Sequence, residues 1–205
     1  MAARSEQSVR RQADRSAFVP RYQELSVRFL QRLNARDLVF EFFVVFSRFE
    51  YALIQTGFIR KDVDYAAADW DQFGRELNQF SAPPSVPEID QATSYLLNHP
   101  PRKQIRENGA LVWKEALPNE NEPQLYKLLV YIRRIRNNLF HGNKLSDLLQ
   151  EHSARNVRLL SHSLTVLYAC LDLHAELQDN FLGELRHEME LAEEDGEAEE
   201  QHFLS

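Results

Sequence analysis

Residues 37–55, DLVFEFFVVFSRFEYALIQ, constrain the fold more than any other stretch. At about 100° of turn per residue, the apolar groups cover nearly the whole circumference of a helix. Glu41, Arg48 and Gln55, each seven residues apart, are left on one narrow polar strip. A helix with so little polar surface belongs at the centre of a fold, wrapped by other helices. Four polar or charged residues, Glu41, Ser47, Arg48 and Glu50, break the run and argue against a membrane span. Gly57 follows, a residue suited to the left-handed conformation that ends a helix.

The rest of the chain repeats the helical period. Behind Pro20, the residues Tyr22, Leu25, Phe29, Leu30 and Leu33 share one face and predict a first helix. Trp70, Phe73, Leu77 and Phe80 predict a third, closed by the APPSVP stretch, and residues 88–98 a short fourth. HPPRKQIRENG reads as an exposed loop, and GALVWKEALPNENEP fits neither period. Pro123 suits the start of a strongly periodic helix, QLYKLLVYIRRIRNNLF. From Ser146 to about Leu185 the pattern stays helical, as one long helix or as two with a bend near Ser153. No stretch alternates as a half-buried strand does. The expectation is an all-α helical bundle, with residues 20–183 as one domain between an arginine-rich, mobile segment 1–19 and an acidic tail 184–205.

Charge is segregated along this frame. Net charge is −7 over 205 residues, which by itself discourages nucleic-acid binding. Yet residues 184–200 hold nine acids against Arg186, so the remainder of the chain is close to neutral. Residues 1–36 carry eight arginines against Glu6, Asp14 and Glu24. The single cysteine, Cys170, lies in an apolar run and reads as a packed thiol, which excludes a disulfide within the chain and fits a reducing cytoplasm. The seven histidines show no zinc-ligand spacing, and neither a phosphate-binding glycine loop nor a GxSxG elbow is present. No metal and no cofactor are expected, and no membrane partner.

The chemistry concentrates in RIRNNLFHGNK. Leu125, Leu128, Leu129, Ile132, Ile135, Leu139 and Phe140 fall in a sector about 120° wide, a core-facing stripe. Arg136 falls near the middle of it, whereas Arg133 and Arg134 need only a wet helix face. A guanidinium keeps its charge, so Arg136 must be paired or open onto a cavity. Glu50, set among Phe43, Phe46, Leu53 and Ile54, is the matching misplaced acid, and the two are expected to meet as a buried pair. His141 follows the helix end and can exchange a proton near neutrality. Arg136 beside it can hold a phosphate bidentately, Asn137 and Asn138 add neutral donors, and Lys144 adds a cation. These parts suffice to split a phosphodiester.

Arg136-Asn137-Asn138-Leu139-Phe140-His141 resembles the arginine, four residues, histidine motif of the HEPN superfamily, and FSRFEYALIQTGF resembles the second central helix of some members. The resemblance spans roughly residues 35 to 180. It implies a helical bundle that dimerises through the motif-bearing helices, and a metal-independent endoribonuclease of toxin–antitoxin, phage-defence or RNA-processing systems. By the same resemblance His141 is general acid or base, Arg136 binds the scissile phosphate, and Asn137 helps position it. The products would be a 2′,3′-cyclic phosphate and a 5′-hydroxyl. RNA, a second copy of the chain, and an antitoxin or regulatory protein are the implied partners. Members neutralised by a nucleotidyltransferase antitoxin carry a tyrosine two places after the histidine; Asn143 stands there, so the resemblance does not extend to that device. The alternative is a non-catalytic HEPN-like module that binds RNA, nucleotide or protein.

Overall fold

The central helix, α1, runs Arg36–Gln55. Ala35, with φ 58°, turns the chain sharply into it, and Asp37 places a negative charge in its first turn. Thr56 caps the other end, its hydroxyl donating to the Ala52 carbonyl at 2.7 Å, and Gly57 follows with φ 92°. The computed structural model describes residues 35–77, 86–140 and 154–183. The expected first helix, the mobile and acidic terminal segments, and Phe80 all lie outside the described residues.

Five more helices and one two-stranded sheet complete this part of the chain: α2 (Trp70–Glu76), α3 (Pro87–Asn98), β1 (Lys103–Glu107), β2 (Ala110–Lys114), α4 (Gln124–Phe140), α5 (Ala154–Asp172) and α6 (Ala175–Leu182). The described protein is mostly helical. α1 packs on α5 and α6, α2 on α4, and α3 on α5. Phe42, Phe49, Leu53, Phe73, Leu128, Leu129, Ile132, Leu160 and Leu167 are wholly buried in one shared core. Each such side chain contributes about 1.5–3 kcal/mol relative to exposure. The Trp70 ring is stacked on Phe46 and Phe49, with centroids 5.0 and 5.2 Å away, which seats α2 against the middle of α1.

α1 is less enclosed than its composition predicts. Phe42, Val45, Phe46, Phe49, Ala52 and Leu53 are buried, but Phe40, Val44 and Tyr51 remain exposed. The six buried positions recur at helical spacing and make one ordinary stripe, so among the described residues α1 is covered on one side and not all round. No described helix is long and apolar enough to cross a membrane.

The loop expected over HPPRKQIRENG is instead half of a hairpin. Lys103 pairs with Lys114, Gln104 with Trp113 and Ile105 with Val112, in antiparallel register. Its turn is Asn108-Gly109, with φ 50° and 82°. Two successive positive φ values match the right-handed twist of a hairpin, and Asn-Gly is the dipeptide that tolerates them best. A break also divides the C-terminal helical run. Leu173 and His174 separate α5 from α6, and the His174 Nδ1 accepts from the Leu177 N–H at 3.2 Å, capping α6. The bend considered near Ser153 falls outside the described residues.

Candidate functional site

The site is built on the last turns of α4. Leu125, Leu128, Leu129, Ile132, Ile135 and Leu139 are buried, as the stripe requires. Arg136 shares that sector but lies at its rim. Its stem brings the guanidinium carbon 5.2 Å from the centroid of Phe46, an arrangement that covers an aromatic face while leaving the charge in reach of water.

Glu50 and Arg136 do meet. Arg136 Nη2 is 3.6 Å from Glu50 Oε2, with the two side chains 38% and 36% exposed. The pair is therefore half open and not buried, although Phe46 and Phe49 on α1 and Ile135 and Leu139 on α4 belong to the core. An open pair of this kind contributes at most about 1 kcal/mol. At 3.6 Å the guanidinium is held by charge more than by a tight hydrogen bond.

Trp70 orients the carboxylate. Its indole Nε1 donates to Glu50 Oε1 at 3.2 Å. Trp70 is buried and packs as the sequence predicts, yet it also fixes which way Glu50 points. The signal for this was present in its chemistry, since a buried indole N–H needs an acceptor.

Asn137 and Asn138 take different parts. Arg136 Nη1 donates to Asn137 Oδ1 at 3.0 Å, so Asn137 stands directly beside the guanidinium. Asn138 donates through Nδ2 to the Arg102 carbonyl at 2.8 Å, one turn from where Arg134 Nη1 donates to the carbonyls of Pro101 and Ala116, at 3.0 and 2.7 Å. Pro101 precedes β1 and Ala116 follows β2. Arg134 and Asn138, four residues apart on one face of α4, thus pin the base of the hairpin. Arg134 is consequently not on a wet face; burial pulls its pKa below the ordinary arginine range. Arg133 pairs with Asp71 of α2, again a specific partner in place of solvent alone.

His141, Gly142, Asn143 and Lys144 lie outside the described residues. The structure thus brings together Glu50, Arg136 and Asn137, adds Trp70 and Phe46 to them, and turns Asn138 toward the hairpin. Among the described residues no three or more histidine, cysteine, aspartate or glutamate side chains cluster closely enough to hold a metal. The Cys170 thiol is fully buried, and burial pushes its pKa up, so it is a packing group. Chemically, the described part of the site can hold an anionic oxygen on Arg136 beside a neutral amide, with a carboxylate behind it.

No protein-family model matches the chain, and comparisons with curated proteins and with solved structures find no match either.

Proposed function

We propose that the chain is a metal-independent endoribonuclease of HEPN type, working as a dimer in the cytoplasm, of the kind that serves as a toxin or phage-defence effector. One observation carries this reading: Arg136 is held at an open rim by Glu50 and Asn137, five residues ahead of His141 in the sequence. Glu50 opposes the guanidinium at 3.6 Å without enclosing it, which suits an arginine that must take up a phosphate.

In the proposed reaction a histidine acting as base removes the proton of the ribose 2′-hydroxyl. The 2′-oxygen attacks phosphorus, the bond from phosphorus to the 5′-oxygen breaks, and a second histidine protonates that oxygen. A 2′,3′-cyclic phosphate and a 5′-hydroxyl result. His141 of each subunit would supply one of these groups. Arg136 stabilises the charge that builds on the non-bridging oxygens, and Asn137 fixes its position.

A second reading has its own observation. Phe46 and Glu50 account for Arg136 structurally, which fits a non-catalytic module of the same fold binding RNA, nucleotide or a protein partner. Incubating the protein with tRNA and mRNA in EDTA, beside His141→Ala, separates the two. Cleavage by the wild type alone, leaving cyclic phosphate ends, is the expected result. No cleavage by either protein, with equal RNA binding, supports the binding module.

A further inference from the structure

A cavity of about 410 Å³ lies at the hairpin base, between the start of β1 and the later turns of α4. Val130, Arg133, Arg134, Asn137 and Asn138 line it from the helix, at the three- and four-residue spacing that puts them on one face. Lys103 and Gln104 line it from the strand. Arg136 does not line it, so the cavity is separate from the proposed catalytic centre.

Every polar side chain of this lining is a cation or an amide. Arg133 is already paired with Asp71. Lys103 and Arg134, in contrast, have no carboxylate partner among the described residues. Lys103 stands directly opposite Lys114 in the strand register, and Glu107 pairs with Lys114. Arg134 is half-buried, and its Nη1 donates to the carbonyls of Pro101 and Ala116, which are dipoles without net charge. A half-buried guanidinium that lacks a counter-charge is costly, and burial holds its pKa below the ordinary arginine range. Asn137 Oδ1 already accepts from Arg136, which leaves its Nδ2 as a donor.

These donors suit one kind of ligand. A guanidinium fork and an ammonium match the oxygens of phosphoryl groups, and two uncompensated cations favour a ligand with more than one negative charge. No aromatic side chain among the described lining residues offers a face to a base, so the anion itself is what this wall can recognise.

We propose that this cavity binds a compact free anion of the pyrophosphate class, its oxygens shared between Arg134, Lys103 and Asn137. The anion supplies the counter-charge that Arg134 and Lys103 lack, and it ties β1 to α4 at the base of the hairpin. The site is independent of the nuclease reading and stands or falls apart from it.

The test adds inorganic pyrophosphate to the full chain in EDTA. Expected are a raised melting temperature and slower amide exchange over residues 103–114, because the anion bridges strand and helix. Sodium chloride at the same ionic strength should produce neither. Lys103→Glu should weaken pyrophosphate binding roughly tenfold or more in calorimetry. Without the anion the same variant should melt at or above the wild-type temperature, since it sets an opposite charge across from Lys114. Arg134→Met should lose binding too, but it also removes two bonds to the hairpin, so Lys103→Glu decides. The proposal is overturned if Lys103→Glu binds pyrophosphate within about twofold of wild type, or if chloride reproduces the effects. It is also overturned if a 2′-O-methyl RNA strand slows the exchange where pyrophosphate does not, which would put a polymer backbone on this face.

Discussion

The indole of Trp70 holds one oxygen of Glu50 at 3.2 Å, and the other oxygen of that carboxylate faces Arg136. A core aromatic residue on α2 therefore sets the angle of a rim carboxylate on α1. Trp70→Phe should keep the stacking on Phe46 and Phe49 but lose the donor. Expected is a stability loss of about 1–3 kcal/mol in urea denaturation, the range for removing one partner of a hydrogen bond to a charged group. Glu50→Gln, which keeps an acceptor for the indole, should cost less than about 1 kcal/mol because the pair with Arg136 is half open. If the two variants were equally destabilised, the carboxylate charge and not the indole would be the main support.

Arg134→Met should loosen the hairpin and leave the helical core in place. The guanidinium donates to two carbonyls that bracket the strands, and methionine can replace its stem but neither bond. Amide hydrogen exchange over residues 103–114 should accelerate while α1 and α5 keep their protection. Unchanged exchange there would mean that the strand pairing holds the hairpin without α4.

Gly74→Ala sets two effects against each other. Alanine favours a helix over glycine by about 1 kcal/mol. Here, however, a Cβ would sit 2.8 Å from the Tyr126 Cα and 3.1 Å from Leu129 Cδ1. The first neighbour is backbone and cannot swing away, so α2 must separate from α4, at an overpacking cost of about 1–3 kcal/mol. Net destabilisation is expected in thermal melts; a raised melting temperature would refute the close approach.

His162 should make stability fall on the acid side. Burial, with a smaller contribution from Arg158, holds its pKa below the ordinary histidine range, and its ring lies 4.7 Å from that of Tyr95. The unfolded chain therefore binds this proton more readily than the folded one. Stability is retained above the unfolded pKa of about 6.5 and declines as pH falls from there toward the folded value. His162→Gln should flatten the dependence of the melting temperature on pH in that window. An unchanged slope would assign it to other groups.

Much of the helical frame was legible because its signal is local and periodic. Pro123 and Gly57 mark a start and a stop where the structure has them, and Glu50 and Arg136 stood out as opposite charges on apolar faces. What stayed hidden depends on partners remote in sequence. Arg134 looked like any exposed arginine, since its acceptors lie 33 and 18 residues away and are carbonyls, which every residue possesses. The hairpin was obscured by charged residues pointing to water, although Asn108-Gly109 carried its turn signal openly. The openness of the Glu50–Arg136 pair depends on where the core stops, which residue spacing alone does not determine.

Arg48 of the first described helix donates to the Phe181 carbonyl of the last, across 133 residues of sequence, at 3.1 Å from Nε. At a synthesis rate of roughly 5–20 residues per second, α1 leaves the ribosome on the order of ten seconds before α6 can join it. Through that interval the side of α1 that meets α6 has no native cover, so the nascent chain passes through a period of heightened demand for chaperones. Any substitution that weakens the docking of α6 should therefore lower the yield of folded protein in the cell more than it lowers the stability of the protein already folded.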